Sequence, residues 1–188
     1  MHISFQRGRD GSCVARIDRP DKVVVELISA KGKWRTPHDL AHAATERELG
    51  LTAGVFGSIA SGAVFKSMRL VSGRPRHDAA ARSARILHAN SRAITIAELL
   101  TGVVHHAVEH GMATASLERA RGGWGVLETR PFPWTAADLR RATDLLRELS
   151  RRWAVIDPDD HVELDWPDRL VVPAPPAPRP RRPATRRR

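Results

Sequence analysis

The segment from Thr36 to Gly50 constrains the fold most, because both of its ends read as the ends of a helix. Thr36 offers a side-chain oxygen to an orphan backbone N–H, Pro37 suits the first helical position, and Asp39 completes a variant capping box while complementing the positive end of the macrodipole. Gly50 is the natural left-handed residue after the last turn. At about 100° per residue, His38, His42 and Glu46 fall within about 80° of arc and project from one side. Leu40, Ala43, Ala44 and Arg47 lie on the other.

Spacing limits what that side can do. His38 and Glu46 start about 12 Å apart along the axis, too far to ligate one ion jointly through bonds of about 2 Å. His38 and His42, one turn apart, have the usual spacing of two ligands to a divalent metal such as zinc. Glu46 then orients a ligating ring, or is the catalytic residue, a general base toward a bound water. The helix N-terminus disfavours an imidazolium near it and so keeps His38 in the neutral form a metal requires. Two metal-free readings fit the same spacing: hydrogen bonding at the edge of the core, and acid–base catalysis. A later helix carries His106 with His110 and His105 with Glu109. The dipole favours histidine near its C-terminus, and two facing histidine pairs in a bundle can share an ion. His106, His110 and Asp39 are the candidates for further ligands.

The run Pro37-His38-Asp39-Leu40, His42, Glu46, Glu48-Leu49-Gly50-Leu51, followed by Gly54-Val55-Phe56-Gly57 and Ala60-Ser61-Gly62, resembles a stretch shared by a family of small uncharacterised bacterial proteins. The resemblance spans residues 37–62 and implies that this stretch is one unit, with no activity attached. Bulkier apolar residues stand in the family where this chain has Ala43 and Thr45.

A chain of 188 residues, 41% of them apolar, suffices for one domain with a real core. A net charge of +10 points ordinarily to nucleic acid or another polyanion. However, only Lys22, Lys31, Lys33 and Lys66 among the 31 basic residues are lysine, a bias toward arginine codons, and six arginines fall after residue 170 with no acid among them. The alternative to a metal-binding, hydrolase-like protein is therefore an accessory protein that contacts nucleic acid or another polyanion weakly through its arginines and tail. The single Cys13, in an apolar strand-like run, reads as a core residue in a reducing compartment. The first residues contain no apolar signal region, and the longest uncharged run, 49–65, is short and glycine-rich for a membrane span, so a cytoplasmic protein with no membrane contact is expected. No Ser-His-Asp set, dinucleotide fingerprint or Walker loop is present.

Along the chain, residues 3–6, 13–17 and 23–28 read as strands, the first two joined at Asp10-Gly11. The third, rich in valine, is expected to be the central one, covered on both faces. A helix over 53–65, a basic loop over 67–78 and a short helix over 79–89 follow. Thr95-Ile96-Ala97-Glu98 is a full capping box and predicts a new helix ending at Gly111. Residues 111–133, with Gly122-Gly123-Trp124-Gly125, read as loop, and Trp124, Phe132 and Trp134 as its anchors. Leu139, Ala142, Leu146, Leu149 and Trp153 mark the clearest amphipathic helix, and residues 161–166 the last strand. The expectation is one α+β domain over 1–168, a small mostly antiparallel sheet of three N-terminal strands and the C-terminal one covered by four to five helices, with a disordered Pro/Arg-rich tail over 169–188.

Overall fold

The computed structural model describes residues 1–8, 10–30, 32–157 and 159–177. Five strands, β1 (His2–Arg7), β2 (Cys13–Asp18), β3 (Val24–Ser29), β4 (Met68–Ser72) and β5 (Val162–Asp165), form one antiparallel sheet in the order β4-β3-β2-β1-β5. Five helices accompany it: α1 (His38–Leu49), α2 (Val55–Ala60), α3 (Ala79–Glu109), α4 (Leu117–Leu127) and α5 (Ala136–Ala154). The α+β expectation holds, and the C-terminal strand joins the meander beside β1, with Ile3 opposite Leu164.

Alternation sets the sheet's inner face. Ile3, Phe5, Ala15, Ile17, Val25, Leu27, Val162 and Leu164 are buried, and their neighbours on each strand point the other way. The middle strand is β2, not β3, and only one face of β3 is covered: Ile28 is 37% exposed. Valine fits a pleated surface whether or not both faces are packed, so its abundance does not report position in the sheet. β4 corrects the expected basic loop. It pairs with β3 through a bulge at Val24/Val25, and Arg69 forms an ion pair with Glu26. Its apolar Leu70 and Val71 are adjacent and exposed and so show no alternation, and it becomes a strand by completing the free ladder of β3.

The helix boundaries need further correction. α2 covers only Val55–Ala60, because Gly62, at φ 108°, turns the chain back and Ala63 N–H donates to Ser58 O. α3 is one helix of 31 residues where two were expected. The Thr95 hydroxyl donates to Ser91 O one turn back instead of capping a new start. Ile86 and Ile96 are buried on either side of the expected break, and Asn90 within it donates to the Ser58 hydroxyl, so packing carries the helix through. α4 occupies part of the expected loop. Ser116 caps it, and Gly123 is there because a Cβ would meet the Leu99 side chain at 2.5 Å. Trp124, Phe132 and Trp134 pack edge to face as the expected loop anchor. α5 begins at a capping box, Thr135 with Asp138, and has the predicted buried stripe.

One core cluster joins the sheet's inner face to these helices, with α1 at the middle. Leu40, Ala41, Ala43 and Ala44 are all fully buried, so α1 is enclosed on nearly every side. Its small side chains let α3 and α5 approach closely. Thr36 does not cap it: the Thr36 hydroxyl pairs with that of Ser150 in α5, and Asp39 accepts from Ser29. Gly50 is left-handed as expected, and the Trp134 indole donates to Leu49 O at 2.8 Å, satisfying a carbonyl at the helix end. At the C-terminal end the chain stays on the core beyond residue 168. Leu170 is buried in a 3₁₀ turn, Asp168–Leu170, and the Ser61 hydroxyl donates to Val172 O. Residues 178–188 of the expected tail lie outside the described residues. No helix among the described residues is long and apolar enough to cross a membrane.

The Thr45 hydroxyl is buried in α1 without a hydrogen-bond partner among the described residues. Thr45→Val removes that orphan and keeps the shape, so it is expected to stabilise the protein by about 1 kcal/mol. A higher urea midpoint with an unchanged slope is the expected readout.

Candidate metal centre

The histidines of α1 meet α3 where the two helices pack. Glu98, Thr101 and His105 recur at i, i+3 and i+7 on α3, so they share the face turned toward His38 and His42. Three donor atoms converge there. His38 Nε2 and His42 Nε2 lie 3.2 Å apart, and each is 3.2 Å from Glu98 Oε2. Donors bound about 2.0–2.2 Å from a tetrahedral ion stand about 3.3–3.6 Å from one another. The triangle therefore has the edge length of one face of such a coordination shell. The His42 side chain is 3% exposed while those of His38 and Glu98 are 47% and 52% exposed, so the cluster has a buried back and an open front.

Glu46 forms the back. It is fully buried, and its Oε1 accepts from His42 Nδ1 at 3.0 Å and from Val55 N–H at 2.9 Å. Oε2 accepts from Phe56 N–H at 2.9 Å and Gly57 N–H at 3.4 Å. These three N–H groups are the orphan donors at the start of α2, which has no side-chain cap of its own. Gly54 makes the approach possible: a Cβ there would sit 2.5 Å from Glu46 Cδ. The carboxyl group faces Nδ1 of His42, on the opposite edge of the ring from the three-donor triangle. A carboxylate oxygen only accepts, so Nδ1 carries the proton and Nε2 is directed at His38 and Glu98.

The charges around the ring follow from these contacts. Burial disfavours a charge on His42, but Glu46 and Glu98 outweigh it and push the pKa up to about 9. Hydrogen bonds from His38 and His42 hold the Glu98 carboxyl well below the usual carboxylate range. Without a cation between them, Glu98 is the shared acceptor that holds the two rings together, and the His42 ring is protonated at neutral pH. His105 stacks on His38 with ring centroids 5.7 Å apart and donates from Nε2 to Thr36 O at 3.1 Å. Burial first, and the neighbouring His38 next, keep its pKa below the ordinary histidine value.

The other candidates lie elsewhere. His106 packs against His110 on the outer side of α3, beside Arg119, and neither reaches the cluster. Asp39 is buried against Ser29 and outside the cluster, and burial raises its pKa. The third donor is Glu98, which the capping-box reading had assigned to a helix start. Its i, i+7 relation to His105 is the one sequence signal that could have placed it. Cys13 is buried and burial pushes its thiol pKa up, as a core residue requires. On the arginine face of α5, Arg141 pairs with Asp138 and Glu48, and Arg147 with Asp144.

Comparison with protein-family models, with curated proteins and with solved structures finds nothing that matches this chain.

Glu46→Gln sets an amide N–H against backbone donors and is expected to cost about 2–3 kcal/mol of stability. In chelator-treated wild type, the folded pKa of His42, about 9, exceeds the unfolded value of about 6.5. Its contribution to stability is thus complete below pH 6.5 and is lost as the pH rises through about 9. Urea unfolding from pH 6 to 9.5 should show that decline in the wild type and a shallower one in the Gln variant.

Proposed function

We propose that this protein binds a divalent transition metal, zinc in the first instance, through His38, His42 and Glu98, and that the site is of the open, hydrolase-like kind. The observation that carries this reading is the triangle of three donor atoms spaced at 3.2 Å with a carboxylate fixed behind the buried ring. Two imidazoles and one carboxylate form the ligand set of catalytic zinc sites that keep a fourth position for water, and also suit non-haem iron. A metal so held lowers the pKa of a bound water and polarises a carbonyl or phosphoryl oxygen. Glu46 acts in this reading as the positioning residue that fixes the His42 tautomer. Both of its oxygens are occupied and it stands on the far edge of the ring, which argues against its use as a base.

The resemblance of residues 37–62 to a family of small bacterial proteins is part of the same reading. His38, His42, Glu46, Gly54 and Gly57 are among the shared positions, and they include two of the three donors and the group that supports them. We infer that the family shares the site. Polyanion binding through the body of the protein draws less support, because Arg35, Arg69, Arg92, Arg130, Arg141 and Arg147 already pair with carboxylates.

Elemental analysis of protein purified without a histidine tag is expected to give about one equivalent of metal, and His38→Ala/His42→Ala to give none. Glu98→Ala should weaken zinc binding at least about tenfold in calorimetric titration of the chelator-treated protein. Equal, negligible metal in wild type and double variant, with no heat on zinc addition, removes the proposal.

A further inference from the structure

A cavity of about 520 Å³ lies toward the N-terminal end of α3, between the first turns of that helix and strands β3 and β4. It is within the size range of small-molecule sites, which are mostly apolar with a few convergent polar groups. Its walls fit that description. Val23 and Val25 from the sheet side face Leu87 of α3, and Val64 and Leu70, 41% and 52% exposed, stand at its edge. The helix contributes alanines, Ala79, Ala80 and Ala84, where larger side chains would have filled the space.

Two guanidinium groups meet on one wall. Gly62, at φ 108°, has no Cβ, and one placed there would lie 3.2 Å from Arg82 Cζ and 3.4 Å from an Arg19 nitrogen. The two arginines differ in their partners. Arg19 grips Asp21 with two hydrogen bonds and is neutralised by it. Arg82 donates from its side chain to Ser61 O at 2.7 Å and has no carboxylate within ion-pair distance among the described residues. One uncompensated positive charge therefore borders an apolar cavity, in a chain where most neighbouring arginines are paired.

We propose that this cavity binds a small amphipathic monocarboxylic acid, its hydrocarbon tail between α3 and the sheet and its carboxylate on Arg82. A planar carboxylate matches the guanidinium fork, and the tail covers apolar wall otherwise exposed to water. With Arg19 and Asp21 neutralising each other, Arg82 supplies a single uncompensated positive charge, which matches a monoanion better than the dianion of a phosphate ester. The site is separate from the His38, His42 and Glu98 cluster and does not depend on a metal there.

Calorimetric titration of the full-length protein with decanoate, kept below its aggregation concentration, tests this. One site per chain is expected, with binding at least about tenfold weaker for decanol and for the Arg82→Met variant. Ala84→Phe, at an exposed helix position on the cavity lining, is expected to abolish binding, and His38→Ala/His42→Ala to leave it unchanged. The decanol comparison uses the wild type alone, so it holds whatever the stability of the variants. No heat with millimolar decanoate, equal affinity for decanol, or tighter binding of decyl phosphate overturns the proposal. So does tighter binding of a short peptide with an apolar C-terminal residue, or a dimer in sedimentation that Ala84→Phe dissolves.

Discussion

The arrangement depends on one buried carboxyl group. Glu46 accepts hydrogen bonds from three consecutive backbone N–H groups at the start of α2 and from the ring of His42. α2 has six residues, too few to be stable alone, and its first donors have no other partner to meet. A negative charge at that end suits both the orphan donors and the helix dipole. The same group sets the tautomer and orientation of a ring that is almost wholly buried. Helix α2, Gly54 and His42 are thus one device, in which Gly54 lets the backbone approach Glu46.

Around that device, α1 is enclosed by neighbours, and its alanines decide how near they come. Close packing of α1 on α3 brings Glu98 within 3.2 Å of two imidazole nitrogens. An unbroken α3 carries Glu98, Thr101 and His105 on a single face and fixes their spacing along the axis. The cluster faces solvent on the side of His38 and Glu98 and protein on the side of His42 and Glu46. That asymmetry, one side polar and open and the other dry and hydrogen-bonded, is what a ligand site with a rigid back requires. The same helix presents its first turns, lined with alanine, to the sheet edge about four turns before Glu98, where the apolar cavity lies.

Local chemistry determined the elements with strong ends or clean periods. The capping box Thr135 with Asp138 and the stripe from Leu139 to Trp153 make α5, Gly50 ends α1, and alternation makes β1, β2, β3 and β5. The pair His38 and His42, with Glu46 a turn further on, was readable because helical spacing alone puts them on one side. Tertiary structure decided the rest. β4 is a strand because β3 offers it a ladder, α3 runs through Thr95 because Ile86 and Ile96 are both buried, and residue 123 of α4 is a glycine because Leu99 lies against it. Glu98 joins the cluster, and Glu46 turns its back on it, for a reason no local pattern contains: each depends on which helix packs beside α1, and at what distance.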